Sequence, residues 1–370
     1  MPKIAIVHDW LVNPGGAEKV VMELHKLYPE APIYTSAYNP EKFPEFAGAE
    51  VRTLWFDKIK LARTKQQFFS IPRALTYRSL DLSDYDIVIS SASAEAKYVR
   101  TGKNTLHLCY CHTPIRYYWS DYDWYRMHPP FGRLNWLAAL LLPVLIGPLR
   151  WMDFRFAQDV NRFIANSKTV QGRIKRYYKR DSDIIYPPVC TDRYISSTHP
   201  KDGYYVVLGR QVAYKRLDLV VDAFNTLGLP VKVSGSGEEL GVQRPRAGKN
   251  IEFLGRVEDE ELPALFAGAR ALIFPAEEDF GIVPVEAMAA GLPVIAYGVG
   301  GATETVIEGL SGTLFYEQTP EALAEAVRAF DGMTFDPAAI RAHAQTFDNA
   351  VFASRMKDYV DTAWEEFKSK

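Results

Sequence analysis

Residues 274–296, FPAEEDFGIVPVEAMAAGLPVIA, decide how this chain folds. An apolar strand ends near Phe274, a loop turns through Phe280 and Gly281, and a helix is expected to start with Pro284 as its first residue. Gly291 closes that helix before the next strand, Val294–Tyr297. A strand, a loop, a helix and a parallel strand in this order make a βαβ unit. Its helix N-terminus lies at the carboxyl end of the strand, where free N–H groups and the positive dipole end favour an anion.

The same alternation extends in both directions. In the second half, strands are predicted at Tyr204–Leu208, Val231–Ser234, Ile251–Leu254, Ala271–Phe274, Val294–Tyr297 and Thr313–Phe315, with helical patterns between them. In the first half, Lys3–His8 is followed by a Pro14-Gly15-Gly16 loop and the helical spacing of Val20, Val21, Leu24 and Leu27. Further strands are predicted at Ile87–Ser90, Leu106–Cys111 and Phe163–Asn166. Between the halves, Tyr186-Pro187-Pro188-Val189 forces extended backbone and suits a linker. The expected architecture is therefore α/β, with two doubly wound Rossmann-like domains, 1–185 and 186–349, facing a central cleft. The C-terminal helix, 350–370, is expected to join the first domain. Open α/β sheets bind ligands at the carboxyl ends of their strands, so function is sought there.

A length of 370 residues agrees with two cores. With 48% apolar and 24% charged residues the chain is globular, and three cysteines exclude a disulfide scaffold. Those cysteines, and a start at MPKIAIVHDW without a charged and apolar leader, predict a cytoplasmic setting. A net charge of −2 argues against a nucleic-acid binder. Its distribution is uneven: residues 1–185 carry 26 Lys/Arg against 18 Asp/Glu, and residues 186–370 carry 17 against 27. The basic half suits an anionic surface.

Residues 134–149 hold Asn135 as their one plainly polar side chain and are bracketed by Arg133 and Arg150, with Trp136 and Trp151 near the ends. As a helix they reach about 24 Å, short of the roughly 30 Å hydrocarbon core, and Pro143, Gly147 and Pro148 are expected to interrupt them. The segment is expected in the lipid interface, with a buried core helix as the alternative. Two basic clusters are candidate headgroup contacts. One is Lys58, Lys60, Arg63, Lys65, Arg73 and Arg78 with Phe68, Phe69 and Tyr77; the other is Arg173, Lys175, Arg176, Lys179 and Arg180.

For chemistry, Glu278 and Glu286 are candidates to bind the vicinal hydroxyls of a sugar, although 23 glutamates produce roughly one such pair by chance. Arg210, directly after the strand Tyr204–Leu208, and Lys215, just before the next helix, can converge on a phosphate. Ser234-Gly235-Ser236-Gly237 would let backbone approach a ligand. His107, Cys109 and Cys111 share one strand face and His112 lies on the other, which breaks up a metal set. The triplets Asp84/Asp86, Asp121/Asp123 and Asp181/Asp183 occur at about the chance rate. No G-x-G-x-x-G follows the first strand, which disfavours a nicotinamide dehydrogenase.

The Pro14-Gly-Gly-Ala-Glu18 loop, Cys111-His112-Thr-Pro, Ala165-Asn-Ser167, Tyr186-Pro-Pro-Val, Gly209-Arg210 with Lys215, and Glu278 with Glu286 together resemble the retaining glycosyltransferases of family 4, which have the GT-B fold. The match runs over nearly the whole chain. Within that family it looks most like bacterial mannosyltransferases of surface-polysaccharide and O-antigen assembly, which use GDP-mannose.

The resemblance implies that Arg210 and Lys215 hold the donor diphosphate, Glu286 the ribose hydroxyls and Glu278 the transferred sugar. Backbone N–H groups of Phe280, Gly281, Ile282 and Val283 would assist. Gly16 would close on the phosphates or acceptor, His112 would contact the donor sugar, and Val257 would lie near the base. Asp279 departs from the family pattern, since many members carry glycine there. No cofactor or metal is expected. The expected partners are a nucleotide sugar, a polyprenyl-diphosphate-linked or glycan acceptor and an anionic membrane surface. A UDP-sugar donor, a sugar-nucleotide epimerase or hydrolase, and a catalytically idle membrane scaffold are the alternatives.

Overall fold

The computed structural model describes residues 2–59, 63, 69–127, 135–194 and 203–369. The chain forms two compact units, Met1–Pro187 with Phe352–Lys370, and Pro188–Val351. The first carries a seven-stranded parallel sheet in the order β3-β2-β1-β4-β5-β6-β7. Its strands are β1 (Ile4–His8), β2 (Ile33–Thr35), β3 (Val51–Thr53), β4 (Ile87–Ala92), β5 (Leu106–Cys111), β6 (Arg162–Ala165) and β7 (Ser182–Ile184). Its helices are α1 (Gly16–Leu27), α2 (Ser70–Ser79), α3 (Tyr122–Met127), α4 (Asn135–Ala157) and α5 (Lys168–Tyr178). Every residue of β4 and β5 is buried, as a sheet covered on both faces requires. Ala5, Val7, Cys109 and Cys111 face one core, and Ile6, Leu108 and Tyr110 face the other.

The second unit carries a six-stranded parallel sheet in the order β10-β9-β8-β11-β12-β13. These strands are β8 (Tyr204–Leu208), β9 (Val231–Ser234), β10 (Ile251–Gly255), β11 (Ala269–Phe274), β12 (Val294–Tyr297) and β13 (Gly312–Phe315). The helices continue as α6 (Leu217–Leu227), α7 (Glu239–Gln243), α8 (Leu262–Ala267), α9 (Ile282–Ala289), α10 (Ala302–Thr305), α11 (Pro320–Phe330), α12 (Pro337–Ala344) and α13 (Asn349–Lys368). Both units are doubly wound Rossmann-like domains, the fold class that the alternating pattern predicts. From α13, Phe352, Met356, Val360 and Ala363 enter the first unit's core beside Ile6, Val20 and Leu24.

Four sequence expectations need correction. β2, β3 and β7 went unpredicted: each has three residues and takes its register from the strand it pairs with, β2 from β1, β3 from β2 and β7 from β6. α9 starts at Ile282, not at Pro284, because Gly281 adopts a left-handed φ of 88° and caps the helix two residues earlier. Pro143 and Pro148 lie inside α4 without ending it. The helix gives up backbone bonds there and is held by Ile146, Leu149, Met152 and Phe156 against the core. Arg73, expected to meet lipid phosphates, is buried and bonded to Glu95 at 2.6 Å. Lys60, Lys65, Phe68, Arg133 and Leu134 lie outside the described residues.

Fully buried His107, whose Nε2 sits 2.9 Å from Ser90 Oγ, has its pKa pushed down by burial from 6.5 to about 4. The unfolded chain therefore binds this proton first as pH falls, and folding loses about 3 kcal/mol between pH 6.5 and 4. His8 shifts the other way, so it opposes this fall near pH 6.5, where the unfolded chain's own histidine still titrates, and adds little at lower pH. All seven tryptophans lie in the first unit, and their fluorescence reports its unfolding alone. We expect urea midpoints followed this way to fall steeply from pH 6.5 to 5 in the native chain and less steeply in His107→Gln; parallel slopes would sink the assignment.

Candidate active site

In the second unit the candidate residues gather at the carboxyl ends of β8 and β11, which are neighbours in the sheet. β8 ends at Leu208, Gly209 turns the chain with φ 137°, and Arg210 projects exposed beyond it. Lys215 ends a short 3-10 turn, Ala213–Lys215, fixed by the left-handed Arg216, whose guanidinium binds Asp218 and Gln318. The Lys215 ammonium and the Glu278 carboxylate form an ion pair that is largely withdrawn from solvent.

Glu278 lies in the loop after β11, and that loop is held from behind by backbone. Gly301 N donates to Glu278 O at 2.7 Å, and a Cβ on Gly301 would fall 2.2 Å from Phe280 Cα. A Cβ on Gly300, whose φ is 76°, would fall 2.5 Å from Glu278 O. These two glycines shape the site, and the Gly-Gly pair after β12 was the available signal for them. Phe280 packs edge-on against Phe347, 5.6 Å between centroids, so the loop enters α9 in one defined path.

Glu286, the fifth residue of α9, is buried beside Tyr194. Burial first, and then the Glu286 charge, push the Tyr194 phenol well above its usual pKa. Val257, half-buried, follows β10 in a loop whose other residues, Arg256 and Glu258 to Glu260, are exposed.

In the Ser234–Gly237 stretch the glycines meet the protein's own backbone. A Cβ on Gly235 would lie 1.8 Å from Gly209 O, and one on Gly237 would lie 1.9 Å from Gln211 O. These glycines let two segments of the chain cross, and Gln211 Nε2 ties the crossing by donating to Gly209 O and Ser234 O.

Gly16 and His112 belong to the first unit. Gly16 is the first residue of α1, and a Cβ on Gly15 before it would meet the Glu18 carboxylate at 2.8 Å. His112 directly follows β5; its N–H donates to Ala92 O at 2.9 Å, and its Nε2 lies 2.8 Å from Ser91 Oγ. Asp9, at the end of β1, accepts from Ser93 N, Ser93 Oγ, Ala94 N and Ala96 N, which fixes the turn after β4. The Asp-x-Asp triplets have local uses: Asp86 accepts from Lys3 N, while Asp121 pairs with Arg116 and Asp181 with Lys175.

Cationic side chains at strand ends next to a helix N-terminus suit a diphosphate, and buried carboxylates suit hydroxyl donors. The sequence matches the glycosyltransferase family 4 model over residues 14–193 and the glycosyl transferases group 1 model over residues 191–331. The chain thus belongs among the family-4-like, group 1 glycosyltransferases of GT-B fold. It is 30% identical to D-rhamnosyltransferase WbpZ of Pseudomonas aeruginosa over 205 residues, half of this chain and 54% of that protein. It is likewise 30% identical to a D-inositol 3-phosphate glycosyltransferase of Streptomyces scabiei, over 53% of this chain and 52% of that one. The chain spans about half the length of the curated relatives it matches. Its fold is similar to that of Anabaena HepE in complex with UDP-glucose, with a TM-score of 0.71 at 20% identity over 97% of this chain and 99% of that one. Among the described residues no helix is long and apolar enough to cross a membrane.

Proposed function

We propose that the protein is a retaining glycosyltransferase that moves mannose from GDP-mannose to a lipid-linked or glycan acceptor in bacterial surface-polysaccharide synthesis. The observation that carries this reading is the meeting of Lys215 and Glu278 at the carboxyl ends of β8 and β11, ahead of α9. As the anomeric bond breaks, negative charge grows on the nucleoside diphosphate and positive charge on the sugar. Arg210, Lys215 and the N–H groups of Phe280, Gly281, Ile282 and Val283 stabilise the leaving group. These cations supply the countercharge, so no metal or cofactor is invoked. Glu286 takes the ribose hydroxyls, Glu278 the transferred sugar, Val257 the base, and Gly16 the phosphates or acceptor. Retention follows from attack on the face the leaving group departs from, a donor phosphate oxygen taking the acceptor proton while His112 positions the sugar.

A UDP-sugar is the second reading, favoured by the HepE complex with UDP-glucose. Calorimetry with GDP, UDP, GDP-mannose and UDP-glucose separates the two. GDP-selective binding, lost in Arg210→Ala and Glu286→Ala, is the expected result. UDP-selective binding overturns the mannosyl donor, and binding of none overturns the transferase.

The acceptor side of this reading is an anionic membrane surface on the cytoplasmic face. α4 presents Trp136, Leu140, Val144 and Trp151 on one stripe, with Trp136 68%, Val144 73% and Trp151 68% exposed. A contiguous apolar stripe of about 22 Å is unusual on a soluble surface. Basic α5 lies beside it, with Trp119 stacked on Tyr177 and Arg150 over Trp119. Vesicles containing phosphatidylglycerol should sediment the protein, vesicles of phosphatidylcholine much less, and Trp136→Ser with Trp151→Ser should abolish the effect. Equal recovery in the supernatant under all conditions would count against membrane docking.

A further inference from the structure

A chain of polar groups runs behind His112, and the proposed transfer chemistry above makes no use of it. Buried His8, the last residue of β1, places Nδ1 2.9 Å from Ser91 O and 3.2 Å from Ser91 Oγ. Its Nε2 faces Glu18 Oε1 of α1 at 3.7 Å, an ion-pair distance. Ser91, fully buried on β4, then reaches His112 Nε2 at 2.8 Å. Other groups also face this chain: the Asp9 carboxylate adjoins it, and Tyr77 Oη donates to His8 O at 2.6 Å.

Proton counting gives the chain a direction. A carbonyl oxygen only accepts, so His8 Nδ1 carries a proton toward Ser91 O. Burial disfavours a charged His8, but Glu18, Asp9 and the Ser91 carbonyl outweigh it and raise its pKa, which supplies a proton on Nε2 for Glu18 as well. Ser91 Oγ therefore faces an N–H on the His8 side, and its one proton is left for His112. His112 Nε2 must then accept.

We infer that Glu18, His8 and Ser91 are positioning residues that hold neutral His112 in the tautomer protonated at Nδ1. His112 then offers a hydrogen-bond donor and has no ring lone pair left to act as a base. The inference rests on the proposed transferase role of His112 for its catalytic consequence, and on geometry alone for the tautomer.

The test uses the full chain labelled with 15N-histidine and long-range 1H–15N correlation NMR near pH 7.5, His112 being assigned by loss of its signals in His112→Gln. His112 should show an unprotonated Nε2 and a protonated Nδ1. Ser91→Ala should move the proton to Nε2 and lower kcat about tenfold with donor KM nearly unchanged, the share of one hydrogen bond. Ser91→Thr, which restores the hydroxyl, should recover both. A protonated Nε2 in the native chain overturns the inference, as does a tautomer change that leaves kcat unaltered. The spectrum needs no sugar nucleotide: the expected tautomer in a protein that binds no nucleotide sugar would support the tautomer assignment while overturning the transferase reading.

Discussion

Lys215→Ala is expected to lower kcat/KM about 10²- to 10³-fold, the usual effect of removing one preorganised donor to a developing negative charge, about 3 to 4 kcal/mol. The geometry adds a sharper expectation. Lys215 is bound to Glu278 in the free protein, so a donor diphosphate must draw the ammonium away from a carboxylate before it gains the contact. Glu278→Gln removes that competitor. Nucleoside diphosphate should therefore bind Glu278→Gln at least as tightly as the native chain, whereas kcat falls because the carboxylate assigned to the transferred sugar is gone. Calorimetry with GDP, paired with initial rates, separates these effects. If Glu278→Gln weakens GDP binding as much as Lys215→Ala does, Glu278 holds the nucleotide and not the sugar.

Neither half of this pair could be matched to the other from the sequence. The two residues stand 63 positions apart, and only the sheet order, with β8 beside β11, brings them together. What was legible is what depends on local pattern. β5, β8, β9 and β12 are short apolar runs with turn residues at their ends, and they fall where they were expected. β2, β3 and β7 are stabilised by the strands they pair with, a term that no local pattern carries. Pro284 misled for a related reason. As the third residue of α9 it lacks an N–H that has no intrahelical acceptor anyway, so proline fits there as well as at the first position. The glycines at 235 and 237 were recognised as sites of close approach, and one group that comes close is the protein's own backbone. Sequence identifies the need for space and leaves open what fills it.

Asp153→Ala is expected to destabilise the first unit by about 3–5 kcal/mol, the cost of leaving a buried charge without its partner. Asp153 lies fully buried near the end of α4 and meets the Lys97 ammonium at 2.9 Å. It also accepts from Tyr98 Oη at 2.7 Å, Trp119 Nε1 at 2.6 Å and Tyr178 Oη at 2.9 Å. Burial opposes the charge on Lys97, but Asp153 raises its pKa, so the ammonium stays protonated inside the core. The 3-10 turn that carries Lys97, Glu95–Tyr98, also holds Arg73 of α2 through Glu95, and one buried turn thereby anchors both α2 and α4. Lys97→Met should cost a comparable amount, and combining it with Asp153→Ala should cost about 1–3 kcal/mol less than the two single changes added together. Urea unfolding followed by tryptophan fluorescence measures this cycle within the first unit; strict additivity would mean that the two charges do not hold one another. The same variants connect stability to the proposed membrane docking, because Asp153 anchors α4, the helix that carries the apolar stripe, in addition to its apolar contacts with the core. Asp153→Ala should therefore lose binding to phosphatidylglycerol vesicles at urea concentrations too low to unfold it. The Trp136→Ser and Trp151→Ser changes should do so without moving the unfolding midpoint.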